Sequence, residues 1–179
     1  MHLNDNAVLV RQLGPDDRHD YFQLRLRGLK AHPDSFGQSY EEALAKGPSQ
    51  HDALLKGSHA AQGDFLLGAY ASAGSPLIGV VGLIRNPGDK QRHKAALIGM
   101  YVAPEAAGRG VGRALLNELL ARASRVEGLR QIQLHVGSRN EAARKLYESL
   151  GFRKFGCEVG ALNVGGVFHD ADLMALFIQ

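Results

Sequence analysis

One cysteine, Cys157, stands in 179 residues. A lone thiol forms no internal disulfide and leaves no cysteine zinc site. Long hydrophobic runs are also missing. The longest, Leu77 to Ile84 with its glycines included, falls far short of the roughly 20 residues a spanning helix needs. Met1-His2-Leu3-Asn4-Asp5 lacks the basic-then-apolar order of a signal peptide. Charge is not concentrated either: 21 basic and 18 acidic residues leave a formal +3, with no basic run. That dispersal argues against a nucleic-acid partner. No repeat, linker or low-complexity segment appears. The expectation is a cytoplasmic protein with no membrane partner, organised as one domain over residues 1–179. Its 45% hydrophobic share is enough for a core of its own.

What is present is a stretch from Ala95 to Val126 around which the rest of the chain is organised. Ala96–Val102 is an apolar run that reads as a buried strand, stopped by Pro104. Gly108, Gly110 and Gly112 follow at alternate positions, with Arg109 and Arg113 among them. Val111, Leu115, Leu119, Ala123 and Val126 then share one helical stripe, and Gly128 sits where a C-terminal glycine cap belongs. A strand, a glycine loop with arginines and a helix start can hold a phosphate. The first N–H groups of the helix lack partners, and its dipole favours an anion there.

Around this stretch the coarse reading is regular. Ala7–Leu13 is a first strand. Pro15-Asp16-Asp17 suits a helix start, and Phe22, Leu26 and Leu29 mark that helix to about Lys30. Shorter helices fit Ser39–Leu44 and Ser49–Lys56. Asp64–Ala71 and Leu77–Arg85 form a hairpin. Arg130–Val136 is a strand with Ile132, Leu134 and Val136 on one face. Ser138 or Arg139 opens a helix with a stripe of Ala143, Leu146, Tyr147 and Leu150, ended by Gly151. Phe152–Leu162 and Val167–Ile178 are closing strands. The order predicts an α+β fold: a mixed, mostly antiparallel twisted sheet between packed helices, three layers in all.

The glycine loop fits neither nucleotide fingerprint. G-x-G-x-x-G would need Gly or Ala where Arg113 or Leu115 stands, and no Gly-Lys-Ser/Thr occurs. Two separate motifs instead resemble the GCN5-related N-acetyltransferase (GNAT) family. The first is Tyr101-Val102-Ala103-Pro104-Glu105 with Gly108-Arg109-Gly110-Val111-Gly112 and Ala114-Leu115-Leu116. The second is Asn140-Glu141-Ala142-Ala143-Arg144-Lys145-Leu146-Tyr147 with Gly151-Phe152. The family's loop opens with Gln or Arg where this chain has Ala107, a departure that bears on cofactor affinity and not on fold.

The resemblance implies acetyl-CoA as co-substrate, an amine acceptor of a small molecule or protein, and direct attack in a ternary complex. It implies a cofactor site of Tyr101, Val102, Arg109, Gly110, Val111, Gly112, Arg113, Ala114, Asn140, Ala143 and Tyr147. Residues Arg109 to Ala114 would supply N–H donors to the pyrophosphate, and the Val102 N–H would face the thioester oxygen. Asn140 would touch the pantetheine arm, cap its helix, or do both. Tyr147 matches the family's general acid. The glutamate that many members carry on the opening strand is absent. Glu41 is the first choice for a base, with Glu42, His135, His169 and Asp170 as alternatives. No metal is expected, and a homodimer through the terminal strands is possible. A CoA-binding module without turnover is the competing reading.

Overall fold

The computed structural model describes residues 8–178. In chain order its elements are β1 (Leu9–Gln12), α1 (Arg18–Ala31), α2 (Tyr40–Lys46), α3 (Asp52–Leu55), β2 (Phe65–Tyr70), β3 (Leu77–Arg85), β4 (Lys94–Val102), α4 (Val111–Ala123), β5 (Gln131–Gly137), α5 (Glu141–Ser149), β6 (Arg153–Val164) and β7 (Val167–Phe177). The seven strands form one sheet in the order β1-β2-β3-β4-β5-β7-β6. Neighbours are antiparallel except β4 and β5, which are parallel. The mixed, mostly antiparallel sheet expected from the element order is therefore present. Ala7, where the first strand was expected to start, lies outside the described residues. No described helix is long and apolar enough to cross a membrane.

Two apolar layers hold the helices to the sheet. Leu67, Val81, Leu83, Leu97, Ile132 and Leu134 meet the α4 stripe of Val111, Leu115, Leu119 and Ala123 on one face. On the other, Leu66, Tyr70, Val80 and Tyr101 meet Tyr21 and Leu24 of α1. The far side of α1 (Phe22, Leu26, Leu29) packs on Ala43 of α2. Because β2 and β3 are covered on both faces, they read as unbroken apolar runs and not as alternating strands.

Two irregularities in β4 shape everything near its end. The pairing with β3 shifts register between Val80 and Gly82, so Gly99 and Met100 together oppose Val81. Gly99 has φ +60, the left-handed conformation that glycine takes without steric cost. This bulge reverses which residues face which helix. Ala95 and Leu97 face α4 before it; Met100 and Val102 do so after it, while Tyr101 turns to α1. The second irregularity is on the other edge. Pairing with β5 covers only Lys94↔Gln131, Ala95↔Ile132 and Ala96↔Gln133. Beyond Ala96 the two strands part, leaving a cleft between Leu97–Val102 and Leu134–Gly137.

Three helix ends differ from expectation. The α4 helix stops at Ala123 with Ser124 as its cap, so Gly128 is not a helix cap and Val126 lies past the helix. Arg85 explains the turn: its buried guanidinium donates to the carbonyls of Glu127, Gln62 and Arg92, tying three loops together. Pro15–Asp17 forms a separate 3-10 turn before α1, where Asp17 accepts from Gly14 N–H and pairs with Arg11 at 2.8 Å. Ser138 and Arg139 form a turn, and α5 begins only at Glu141, after Asn140.

A Cβ on Gly99 would have room, its nearest neighbour being Arg25 Nη1 at 3.7 Å. Gly99→Ala is therefore expected to cost only the left-handed penalty, about 1–2 kcal/mol in denaturant unfolding. No measurable loss would show that the bulge relaxes without its glycine.

Candidate active site

The glycine loop leaves the start of α4 open and uncapped. Pro104–Ala106 makes a 3-10 turn, and Gly108 (φ +73) and Gly110 (φ +75) then swing the backbone into α4. Open space surrounds the Cβ positions of both glycines, so a ligand can approach the backbone there. Gly110 is the N-cap and offers no side chain to the first turn. Ala114 N–H already bonds Gly110 C=O at 2.9 Å. The donors expected from Arg109 to Ala114 thus reduce, within α4, to the N–H groups of Val111, Gly112 and Arg113. Their aligned dipoles add positive potential at that end of the 13-residue helix.

The side chains there divide their tasks. Val111 is 1% exposed and packs in the core, so only its backbone is offered. Arg109 is exposed and bonds nothing among the described residues, whereas Arg113 donates to Ser149 Oγ on α5 at 3.0 Å. Gly112 is needed for closeness: a Cβ there would come 3.1 Å from Met100 Cε and 3.2 Å from Leu146 Cδ2. The start of α4, the end of β4 and the middle of α5 meet at this point.

The cleft wall carries a backbone donor. Ala103 N–H bonds Ile78 C=O on β3 at 2.8 Å. Adjacent residues of an antiparallel strand send their N–H groups to opposite sides, so the Val102 N–H points away from β3 into the cleft. Tyr101 does not line the cofactor side as expected. The bulge puts its ring under α1, so close that a Cβ on Gly28 would lie 3.0 Å away.

Across the cleft, Tyr147 is buried at 5% exposure with its ring edge-on to Phe152, centroids 5.7 Å apart. Its hydroxyl bonds no described residue, yet it is not among the sealed unpaired polar atoms, so the oxygen is not fully closed off from solvent. Burial pushes its pKa up to about 12. Asn140 Oδ1 accepts from Ala143 N–H at 3.1 Å and so caps α5.

A residue that the sequence reading missed secures this wall. Asp172 on β7 is 1% exposed and accepts from Ser138 Oγ at 2.8 Å. It also pairs with Lys154 Nζ at 2.7 Å and lies 3.6 Å from Arg144 of α5. Its hydrogen bond from Lys154 holds the carboxyl below the usual carboxylate range against the opposing effect of burial. An acid within the apolar run Ala-Asp-Leu-Met-Ala-Leu was the available signal.

The α1 side of the sheet is open and carries the base candidates in two places. Glu41 is exposed, without an ion pair among the described residues, on a groove of about 690 Å³ that Phe36, Tyr40 and Leu162 also line. Glu42 also borders that groove, but its carboxylate closes a capping box with Ser39. His169 and Asp170 border a second trough, of about 290 Å³, with His32, Asp34, Ser138 and Asn140. His135 adjoins it beside Glu158, 3.8 Å away. The ring of His32 lies 6.1 Å from that of Tyr101, which brings this trough to the end of β4.

Comparisons with known proteins agree with this geometry. The profile of the acetyltransferase (GNAT) family matches residues 29–152. A curated spermidine N(1)-acetyltransferase of Vibrio cholerae is 35% identical over 98 residues, 55% of this chain and 55% of that protein. The chain therefore spans about half the length of that relative. An acetyltransferase of the GNAT family from Streptococcus pneumoniae superposes with TM-score 0.84 at 24% identity, covering 96% of this chain and 100% of that one. A phosphinothricin acetyltransferase from Sinorhizobium meliloti, solved in complex with acetyl-CoA, gives 0.78 at 20% identity over 96% and 89%.

Asp172→Asn is expected to lower Tm by about 2–6 °C at neutral pH, because the ion-paired carboxylate is lost. The native carboxyl has a depressed pKa, so its stabilisation is present above the ordinary carboxylate pKa and fades as pH falls through the native value. The gap between wild type and variant should accordingly narrow in acid. A gap independent of pH would assign Asp172 a packing role only.

Proposed function

The chain belongs to the acetyltransferase (GNAT) family, and on that premise we propose that it moves the acetyl group of acetyl-CoA to a primary amine by direct attack in a ternary complex. One observation carries the reading. An outward backbone N–H at Val102 lies in a cleft between an uncapped helix terminus and a buried, uncharged phenol.

The residues fit such a co-substrate. The N–H groups of Val111, Gly112 and Arg113 hold the pyrophosphate, Arg109 adds charge, and the pantetheine arm follows the opening between β4 and β5 past Asn140 and Ala143. The amine lone pair forms a bond to the thioester carbon. The oxygen takes up negative charge beside the Val102 N–H, a contact typically worth about a hundredfold in rate. The C–S bond then breaks, the sulfur receives the Tyr147 proton, and amide and free CoA leave. Tyr147 suits this role because burial keeps the phenol neutral well above physiological pH. The acceptor ammonium must first lose a proton, which we assign to Glu41 through water. On α2 it is the acid of the first turn left free of capping.

The same reading places a single domain in the cytoplasm. It also includes a homodimer through β6, an edge strand with Phe155 and Val159 exposed.

Purified protein should bind acetyl-CoA and release CoA when given a suitable amine; binding with no release across amines would favour a module without turnover. Tyr147→Phe should lower kcat about ten- to a thousandfold with acetyl-CoA affinity retained. Since the native phenol titrates near 12, wild-type kcat should show no phenol-dependent fall below about pH 11. Glu41→Gln should lower kcat about a hundredfold with acetyl-CoA affinity retained; unchanged kcat would remove Glu41 as the base. Gly110→Glu should abolish acetyl-CoA binding in calorimetry through bulk and like charge. Retained affinity would remove the cradle from the mechanism.

A further inference from the structure

At the end of the sheet opposite the cleft, three guanidinium groups line one cavity without a carboxylate partner. The cavity, of about 620 Å³, is walled by the segments before β2, after β3 and after α4. Arg85, Arg92 and Arg125 line it, with His93 beside them. Among the described residues none of these arginines makes an ion pair, although Arg11, Arg18, Arg27 and Arg122 each find a carboxylate. Arg85 is the fixed member. It is 8% exposed, and its guanidinium meets only the carbonyls of Arg92, Gln62 and Glu127. Those bonds use three of its five N–H groups and leave its charge unneutralised. Asp64, also buried, accepts the Arg85 backbone N–H at 2.8 Å and forms no ion pair with the guanidinium. Asp89 and Glu127, the acids of the lining, are exposed and pair with none of the arginines.

A buried cation without an anion costs free energy, which a ligand offsets by supplying one. The lining keeps a net positive charge, three arginines against two acids. Guanidinium forks suit phosphate oxygens, and a phosphate dianion has acceptors enough for several forks at once. The site is assembled in advance, because Arg85 already ties its three walls together. Two glycines keep the interior free of side chains. A Cβ on Gly128 would stand 3.3 Å from Arg85 Nη2, and one on Gly63 2.7 Å from Val126 Cγ1. The volume falls within the roughly 300–1,000 Å³ of small-molecule sites, and Ala60, Ala61 and Val126 add apolar wall. A bare phosphate would leave most of that space unfilled, so a small organic group has room.

We propose that Arg85, Arg92 and Arg125 form a second anion site, for a phosphate dianion that is free or carried as a monoester by a small molecule. It is separate from the co-substrate cleft and rests on no part of the acetyl-transfer reading. The helix α4 puts about 20 Å between its start at Val111 and Arg125. The nine residues of β4 likewise separate the cavity from Val102. An anion bound there joins the turn after α4 to the turns beside β2 and β3, and so braces the far end of the helix whose start faces the cleft.

The test follows backbone amide shifts by NMR as inorganic phosphate or glycerol phosphate is added at constant ionic strength, with glycerol as control. Expected are saturable shifts at Gly63, His93 and residues 126–128 with dissociation constants in the millimolar range or tighter, and none with glycerol. Tighter binding of the ester assigns the rest of the cavity to an organic group; equal affinity assigns the site to free phosphate. Arg92→Gln combined with Arg125→Gln changes two exposed side chains and leaves the buried Arg85 in place. That double variant should bind about tenfold more weakly or worse, its amide spectrum otherwise unchanged. Phosphate held at the start of α4 would move residues 110–113 instead. Shifts confined to those residues, or no saturable shift at all, would overturn the proposal. Unchanged affinity in the double variant would overturn it as well.

Discussion

The parallel pairing of β4 with β5 ends at Ala96 and Gln133, and the remainder of the molecule depends on what that leaves open. A fully paired β4 would bond the Val102 N–H to its neighbour and close the route through the sheet. Parted, the strands leave backbone donors unpaired inside the protein, which costs free energy unless a ligand or water takes them up. The fold supports the gap from outside. Tyr147 and Leu146 of α5 pack on the core, α4 seats Val111 against Gly79 of β3, and Asp172 binds the turn before α5 to β7. The cleft is an opening kept by the packing around it.

The bulge at Gly99 gives the two sides of the sheet different chemistry. By reversing the alternation, it sends Met100 and Val102 toward α4 and α5, where apolar contacts line the cofactor route. It sends Tyr101 toward α1, where the polar residues gather. Without the extra residue, Tyr101 would face the narrow contact between Gly112 and Met100, where even a methyl group has 3.1 Å. One inserted residue therefore gives the two faces of the strand different surroundings beyond the bulge.

Most of the architecture was legible because its signals are local. The stripe of α4 and the alternation of β5 follow from periodicity, and the uncapped start of α4 from Gly110. Three features were not legible, each for a physical reason. The face that Tyr101 takes was hidden because the family resemblance marks its position and not its face, and a bulge in an apolar run of small residues leaves no periodic mark. The end of α4 was drawn too late because Val126 continues the stripe, while the turn is set by Arg85, distant in sequence and bonded to Glu127 C=O. Asp172 was passed over because its partners Ser138, Arg144 and Lys154 come from three other segments. Of the candidate bases, Glu42 is spent on a capping box that the Ser39-x-x-Glu42 spacing already offered, while the groove beside Glu41 is built by the tertiary structure.

The missing acid of β4 and the unpaired Arg25 form a single arrangement. Ile98 lies on the α1 face, where a Cβ on Gly82 would touch both Leu66 and Ile98. A glutamate there, one residue from the bulge, would lie beside Arg25 and pair with it. At such short separation an ion pair would hold the glutamate ionised and hydrogen-bonded, a poor acceptor for a substrate proton, and would neutralise the guanidinium. With Ile98 in place the guanidinium has no carboxylate on β4 beside it, and on our reading proton removal falls to another element. The base we propose, Glu41, stands on another element, α2, where its carboxylate borders an open groove and pairs with no cation among the described residues.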